Sequence, residues 1–454
     1  MKILLISSNN STSPYPVYPL GCAVIANALQ VAGHKVKFLD CMISDNIFDK
    51  LLISIKDFKP DVVGISIRNI DNVNILEEKC FLNIPKKITD IIHNDFPGIP
   101  VILGGSGFSI MPEKLLEYIQ ADYGVAGEGE KIFLELLDNI KNGIKSKNRI
   151  FKSQNPLYDS EINGAFYKKS LVDFYDRKGS IMPLQTKRGC LNHCLYCTYP
   201  FLEGRTLRCR KPQDVIDDMK FLKNEMNADF IFFTDSVFND ANLEYLKLID
   251  AIEEAEINLP WTAFFQPDPK LDAKIVSKLI SAGLHSVELG PDAASNTTLK
   301  SIGKKFTFDD VLHCNKLFAE QQIAVANYFM LGGPGENKKT VEEGVENIKK
   351  LDMSVSFVFL GIRILPGTPL YQIALQESII NKDTDIVQPH YYFSPQLERK
   401  WLEDYLDNTL TKIKHCVYPP NSMDAGIQIL RQMGYRGNLW EMMVKNSKRL
   451  KKLK

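Results

Sequence analysis

The 454-residue sequence has no net charge, 55 lysines and arginines standing against 55 aspartates and glutamates. That balance removes any global field that would draw the protein to nucleic acid or an anionic membrane, and points to a small molecule, a peptide or a lipid as partner. Long apolar runs are also missing. Nowhere do about 18 apolar residues follow one another, so no transmembrane helix is expected. The apolar start, Met1 to Ser7, turns polar at Asn9, Asn10 and Ser11, too soon for a signal-peptide core. It reads as a first buried strand, and a cytoplasmic location is expected. A disulfide framework is absent too. The nine cysteines are odd in number and three of them fall within eight positions, a pattern that suits metal binding in a large chain.

What is present divides the chain. Its length exceeds what one hydrophobic core usually serves, so two or three domains are expected. Residues 1–140 alternate short apolar runs (Lys2 to Ile6, Val36 to Leu39, Val62 to Ile67, Val101 to Leu103, Tyr123 to Ala126) with helical patterns, such as Leu20 to Ala32 ending at Gly33. This is the pattern of an α/β, doubly wound, Rossmann-like domain. Residues 141–181 are polar and read as a linker. Residues 182–382 hold six further strand candidates (Met182 to Thr186, Phe230 to Thr234, Trp261 to Gln266, Ser286 to Gly290, Ala324 to Leu331, Ser356 to Ile364) separated by helical patterns. Six such units predict an open partial (β/α)6 barrel. Residues 383–454 read as a small helical C-terminal cap, ending in the basic run Lys445 to Lys454 as a solvated helix end.

The strongest signal is Cys190, Cys194 and Cys197, in a loop just after a predicted barrel strand. Thiolates suit an iron–sulfur cluster, and three-then-two spacing lets one tight loop hold three corners of a cubane, leaving the fourth iron for an outside ligand. A zinc site would want a fourth ligand at comparable spacing, whereas His193 lies inside the loop and Cys209 stands twelve residues on.

This spacing, with Tyr196 before the last cysteine, resembles the radical S-adenosylmethionine (SAM) superfamily. The resemblance implies a [4Fe–4S] cluster whose open iron binds SAM and, once reduced, cleaves it to a 5′-deoxyadenosyl radical. It also implies SAM contacts for Tyr196, for Asp235 after the second strand, for Asp292 after the fourth, and for the turn Gly332, Gly333, Pro334, Gly335 and Glu336 after the fifth. Thr234, Asp235 and Ser236 stand where many relatives carry glycine-glycine-glutamate, and Asp292 where many carry glutamate. Arg363 and Gln266, at strand ends, are placed toward the barrel mouth, where either could equally be a satisfied structural residue.

The N-terminal segments Leu20 and Gly21, Gly104 and Gly105, and Gly127, Glu128, Gly129 and Glu130 resemble the cobalamin-binding domain that precedes many such barrels. Glycines there let the backbone approach a bulky ligand at the carboxyl ends of the strands, and Ser66 is placed to bond its nucleotide tail. The alternative is a nucleotide-binding or empty domain. No aspartate–X–histidine–X–X–glycine motif follows the first strand, where Asn9 to Tyr18 stand instead, so cobalamin is expected without a histidine below cobalt. His34 reads as a surface turn residue. Cys22, Cys41 and Cys80 raise the possibility of a methylthiotransferase, but lack that family's local motifs and read as ordinary free cysteines.

Together the resemblances imply a C-methyltransferase acting on an unactivated carbon of a small-molecule, lipid or natural-product substrate, through the 5′-deoxyadenosyl radical and methylcobalamin. An electron donor such as flavodoxin or ferredoxin would serve it. The competing expectations are a cyclase or oxidase using the same cofactors, a methylthiotransferase, and a noncatalytic cobalamin sensor.

Overall fold

The computed structural model describes residues 1–144, 146–153, 155–179 and 181–444. The basic run from Lys445 to Lys454 lies outside the described residues. Six strands form the first sheet: β1 (Lys2–Ser7), β2 (Lys35–Asp40), β3 (Val62–Ser66), β4 (Val101–Gly104), β5 (Tyr123–Ala126) and β6 (Ile150–Lys152). All pairings are parallel, in the order β2-β1-β3-β4-β5-β6. A parallel sheet needs both faces covered, which explains the unbroken apolar runs. Leu4 and Ile6 pack on one side, while Ile3 and Leu5 meet Ala26, Leu29, Phe133 and Leu137 on the other. The strand order reverses between β1 and β3, and open α/β sheets bind ligands at the carboxyl side of such a point.

The second sheet begins with β7 (Met182–Leu184). A two-residue antiparallel pair, β8 (Lys187–Arg188) and β9 (Arg208–Cys209), closes the base of the loop that carries the three cysteines. The sheet continues with β10 (Ile231–Phe233), β11 (Trp261–Phe265), β12 (Ser286–Asp292), β13 (Ala324–Leu331) and β14 (Ser354–Leu360). A second antiparallel pair, β15 (Ile362–Arg363) with β16 (Tyr391–Tyr392), follows, and β17 (Cys416–Val417) adds to the open edge beside β14. The six expected barrel strands are β7 and β10 to β14, in sequential parallel order. The C-terminal region is largely helical.

Alternation along these strands separates two environments. Val287, Leu289, Val325, Phe329 and Val358 face the helices and join the main core; burial of each contributes about 1.5–3 kcal/mol. The opposite, inner face carries Phe232, Phe264, Glu288, Tyr328 and Phe357. The helices start where side chains cap them: Ser295 with Thr298, Thr307 with Asp310 and Asn337 with Thr340 form reciprocal caps. Among the described residues no helix is long and apolar enough to cross a membrane.

The segment read as a linker is not one. Its residues Ile150–Lys152 form β6, the sixth strand of the first sheet, and Lys169–Lys178 form a helix whose Leu171, Val172 and Tyr175 are buried. Polar composition hid them because β6 is an edge strand of three residues and the helix buries only one stripe.

Candidate active site

Gly189 opens the cysteine loop at φ +93°, and a Cβ there would stand 2.1 Å from the Thr206 carbonyl oxygen, so only glycine fits the entrance. Cys190 donates its N–H to the Gly204 carbonyl at 3.1 Å, Leu195 bonds Ile302, and Cys197 turns back onto Cys194 at 3.2 Å. Cys190 is buried and the other two thiols are partly so. Burial pushes the Cys197 thiol up to about 12, with the neighbouring Cys194 and Cys190 adding to the shift. Three such thiols ionise together only against strong local positive charge, which cluster irons supply. Among the described residues no three His, Cys, Asp or Glu side chains converge on one metal ion. A cubane, which holds three sulfurs at separate corners, suits this loop better than a single zinc ion.

Beside the loop, the β12–β13 register shifts between Leu289 and Asp292, and Asp292 adopts φ +65°. Irregularities of this kind re-aim a strand-end side chain. Asp292 accepts hydrogen bonds from the Tyr196 hydroxyl and from Lys304, which also reaches the Gly290 carbonyl at 3.3 Å. Two of the expected SAM residues, Tyr196 and Asp292, are thus brought together. Burial opposes the charge on Lys304, but Asp292 and Cys194 more than offset it and hold the ammonium protonated. Lys304 was not foreseen; twelve residues beyond Asp292, it carries no spacing signal. Gln266 accepts from Asn192 at 2.9 Å, tying β11 to the cysteine loop at the barrel mouth.

Two expectations are corrected. Asp235 is 1% exposed and its carboxylate is occupied by the Thr186 N–H (2.8 Å), the Lys187 N–H (3.1 Å) and the Thr186 hydroxyl, so it joins β10 to β8 and does not face a cofactor. Glu336 turns back to accept the N–H groups of Gly332 and Gly333, which spends the amides expected to meet SAM. Gly332, Gly333 and Pro334 are buried, Gly332 against Phe393, and the turn braces the end of β13 while Gly335 alone is exposed. Of the two readings of Arg363 the structural one holds: it pairs with Asp71 at 2.9 Å and donates to the carbonyls of Ile364 and Ile386, linking the barrel to the N-terminal domain.

At the carboxyl ends of the first sheet, one cavity is lined by Leu20, Gly21, Ser66, Gly104, Gly105, Gly127, Glu128, Gly129 and Glu130, together with Gln185, Arg188, Tyr199, Leu202 and Glu203 from the second half of the chain. All nine residues expected at cobalamin meet here. Gly105 has φ +96°, and a Cβ would lie 2.5 Å from the Ile67 carbonyl, so the β4 turn passes where no side chain could. The carboxylates of this set are already engaged. Arg188 bonds Glu128 at 3.1 Å and Glu130 at 2.6 Å, and Arg208 bonds Glu128 at 2.7 Å, all with side chains at most 8% exposed. Arg188 precedes the cysteine loop by one residue, so this network fixes the cavity's rim to the cluster's entrance. Arg68, beyond β3, lies among Tyr15, Tyr175 and Tyr199; it contacts solvent yet is surrounded by protein, which lowers its pKa by desolvation.

Cys22 and Cys41 are buried while Cys80 is exposed, in a bridge to Asp71, so the three do not form a common loop. The B12 binding domain family matches residues 6–137, and the radical SAM superfamily matches residues 184–348. The chain is a radical SAM enzyme with a B12-binding domain. Such domains take cobalamin, and SAM with a [4Fe–4S] cluster. Among similar proteins, an uncharacterized methyltransferase of Pyrococcus horikoshii is 26% identical over 400 residues, covering 84% of each chain. A tryptophan 2-C-methyltransferase of Streptomyces laurentii is 24% identical, over 77% of this chain and 71% of that one. The solved structure of the radical SAM methyltransferase TsrM from Kitasatospora setae, with cobalamin and a [4Fe–4S] cluster bound, superposes with a TM-score of 0.83 at 24% identity, covering 97% of both chains.

Proposed function

We propose that this radical SAM enzyme is a cobalamin-dependent C-methyltransferase that acts on an unactivated carbon of a small-molecule, lipid or natural-product substrate. The observation that carries the reading is the shared wall. The cavity at the carboxyl ends of the first sheet is completed by Tyr199, Leu202 and Glu203, which directly follow the cysteine loop, so two cofactor sites border one space. The names of the methyltransferase relatives favour methyl transfer over cyclisation or oxidation. When bound, the cofactors supply the methyl group and the radical chemistry; the chain positions and shields. Cys190, Cys194 and Cys197 would hold the cluster, and Tyr196, Asp292 and Lys304 would orient SAM beside it. Leu20, Gly21, Ser66, Gly104, Gly105, Gly127 and Gly129 would lie against cobalamin, with the Arg188–Glu128–Glu130 network keeping its rim in register with the cluster. A reductant of the flavodoxin or ferredoxin class would serve this site in the cytoplasm, and no nucleic acid is required.

The test is stoichiometry with label. Turnover on the true substrate should consume two SAM per product and release S-adenosylhomocysteine and 5′-deoxyadenosine in about equal amounts, because one SAM donates a methyl group and the other the radical. SAM deuterated on its methyl group should carry that label into the product. Deoxyadenosine formed in step with an unlabelled product would establish the cyclase or oxidase reading instead.

A further inference from the structure

The inner face of the barrel carries an acid that the cofactor sites do not use. Glu288, in the middle of β12, lies beside Phe264 of β11 in the sheet register. Its Oε2 accepts the Tyr328 hydroxyl at 2.5 Å, and among the described residues its Oε1 accepts no hydrogen bond. The Trp440 indole N–H is directed at the carboxyl and favours its charged form, but its Nε1 falls outside hydrogen-bond geometry. Among the described residues no lysine or arginine pairs with the carboxyl, and a further acid that acts on it is Glu441, held by His285 at 2.8 Å. Burial accordingly pushes Glu288 up to about 7. A buried carboxyl without a cation is costly unless something else meets it.

The surroundings indicate what does. Tyr328 stacks on Phe357 with centroids 5.2 Å apart, and Phe264 packs edge-on to Phe232 and Tyr328. Phe264 is 38% exposed although its strand is flanked by neighbours on both sides, so open space lies over this face. Below, the segment Leu439–Met443 closes the barrel, Asn438 bonding Ser286 at 3.2 Å. On the other side stands Tyr15, from the Asn9 to Tyr18 loop, packed with Phe230 and Phe232. The same inner face leads up β12 to Asp292 at the cofactor end.

We propose that this chamber seats an aromatic ring bearing a nitrogen donor, a ring N–H or a protonated amine, against the Glu288 carboxyl, with Phe232, Phe264, Tyr328 and Phe357 as its walls. The proposal deepens the methyltransferase reading and rests on it for the use of the chamber. Apolar walls with one placed polar group are how such sites fix orientation, and an acceptor left unpaired rejects analogues that lack the donor.

Binding can be read without turnover. The full chain, anaerobically reconstituted with cluster and cobalamin, is titrated calorimetrically with two pairs of probes: indole against benzofuran, and 2-phenylethylamine against (2-methoxyethyl)benzene. In each pair only the first carries the nitrogen donor. At least one donor should bind about 10- to 100-fold tighter than its twin, as expected when a buried acceptor is otherwise left unpaired. Glu288→Ala should erase the preference. Glu288→Gln, nearly isosteric and keeping a neutral acceptor, should retain any indole preference and lose any amine preference, which keeps the test decisive if the alanine variant fails to fold. Retained cobalamin absorbance and cluster iron certify each variant. Equal binding within both pairs, no binding of any probe, or a preference that survives in Glu288→Ala or an amine preference that survives in Glu288→Gln would overturn the proposal. A chain that discriminates the twins but makes no S-adenosylhomocysteine would instead remove the methyltransferase reading.

Discussion

Each cluster thiol is one of three in its loop, so the loss of one leaves two protein ligands for four irons. Cys190→Ala, Cys194→Ala and Cys197→Ala should each lose most cluster iron and abolish SAM cleavage, while Cys22, Cys41 and Cys80 should be individually replaceable with iron and sulfide content intact. Asp235 makes a sharper single-residue case, because sequence and structure assign it different work. Its removal strands two buried N–H groups and a hydroxyl. Asp235→Ala should therefore cost at least about 3 kcal/mol of stability in a urea melt, at about 1–3 kcal/mol for each of the three buried groups left unpaired. SAM affinity of the folded fraction should stay unchanged. A loss of SAM affinity with stability intact would return Asp235 to the cofactor.

At the scale of elements, the turn after β5 and the β8–β9 pair are held to each other by buried charge and not by apolar packing. Arg188 is 8% exposed and faces both Glu128 and Glu130. Arg188→Met leaves Glu128 facing Arg208 alone and takes from Glu130 its ion-pair partner, and should destabilise the chain by about 3–5 kcal/mol, the usual cost of breaking a buried pair from one side. Denaturant unfolding gives that number. Cobalamin retention on gel filtration, which should fall in the same variant, separates an effect on the cavity's rim from a global one. The β12 irregularity works at the same scale: by shifting register before Asp292, it turns a strand-end carboxylate toward Tyr196 and Lys304, which a regular strand would not do.

At the scale of the molecule, pH should act through the barrel interior. Glu288 faces Tyr328 on β13, Trp440 and Glu441 on the C-terminal segment, and Tyr15 from the N-terminal domain. Its folded pKa of about 7 lies above the ordinary 4.5, so the folded chain keeps a proton that the unfolded chain releases. The associated stability is complete below the ordinary value and is lost as pH rises through the folded one. The stability of Glu288→Gln relative to the unsubstituted chain should therefore rise by about 3 kcal/mol between pH 4.5 and 8, measured by urea unfolding of the cobalamin-loaded protein. A difference that does not change with pH would show that this carboxyl is ionised in the fold.

The sequence by itself determined five strands of the first sheet, six of the second and the cluster loop. Unbroken apolar runs admit only strands covered on two faces, and three cysteines at close spacing act within one loop, so neither needs knowledge of distant residues. The glycines that line the first cavity, Gly21, Gly104, Gly105, Gly127 and Gly129, were legible for the same local reason. Tertiary structure decided everything that depends on partners far along the chain. Whether a carboxylate is free or already bonded cannot be read from its neighbours in sequence: Asp235 is occupied by residues 48 and 49 positions away, and Glu128 by Arg188 and Arg208, 60 and 80 away. Lys304, Arg68 and Glu288 gave no signal because a single charged residue has no period or spacing. Their roles follow from burial, which sets how strongly a charge must be answered, and burial is fixed only when the strands close around it.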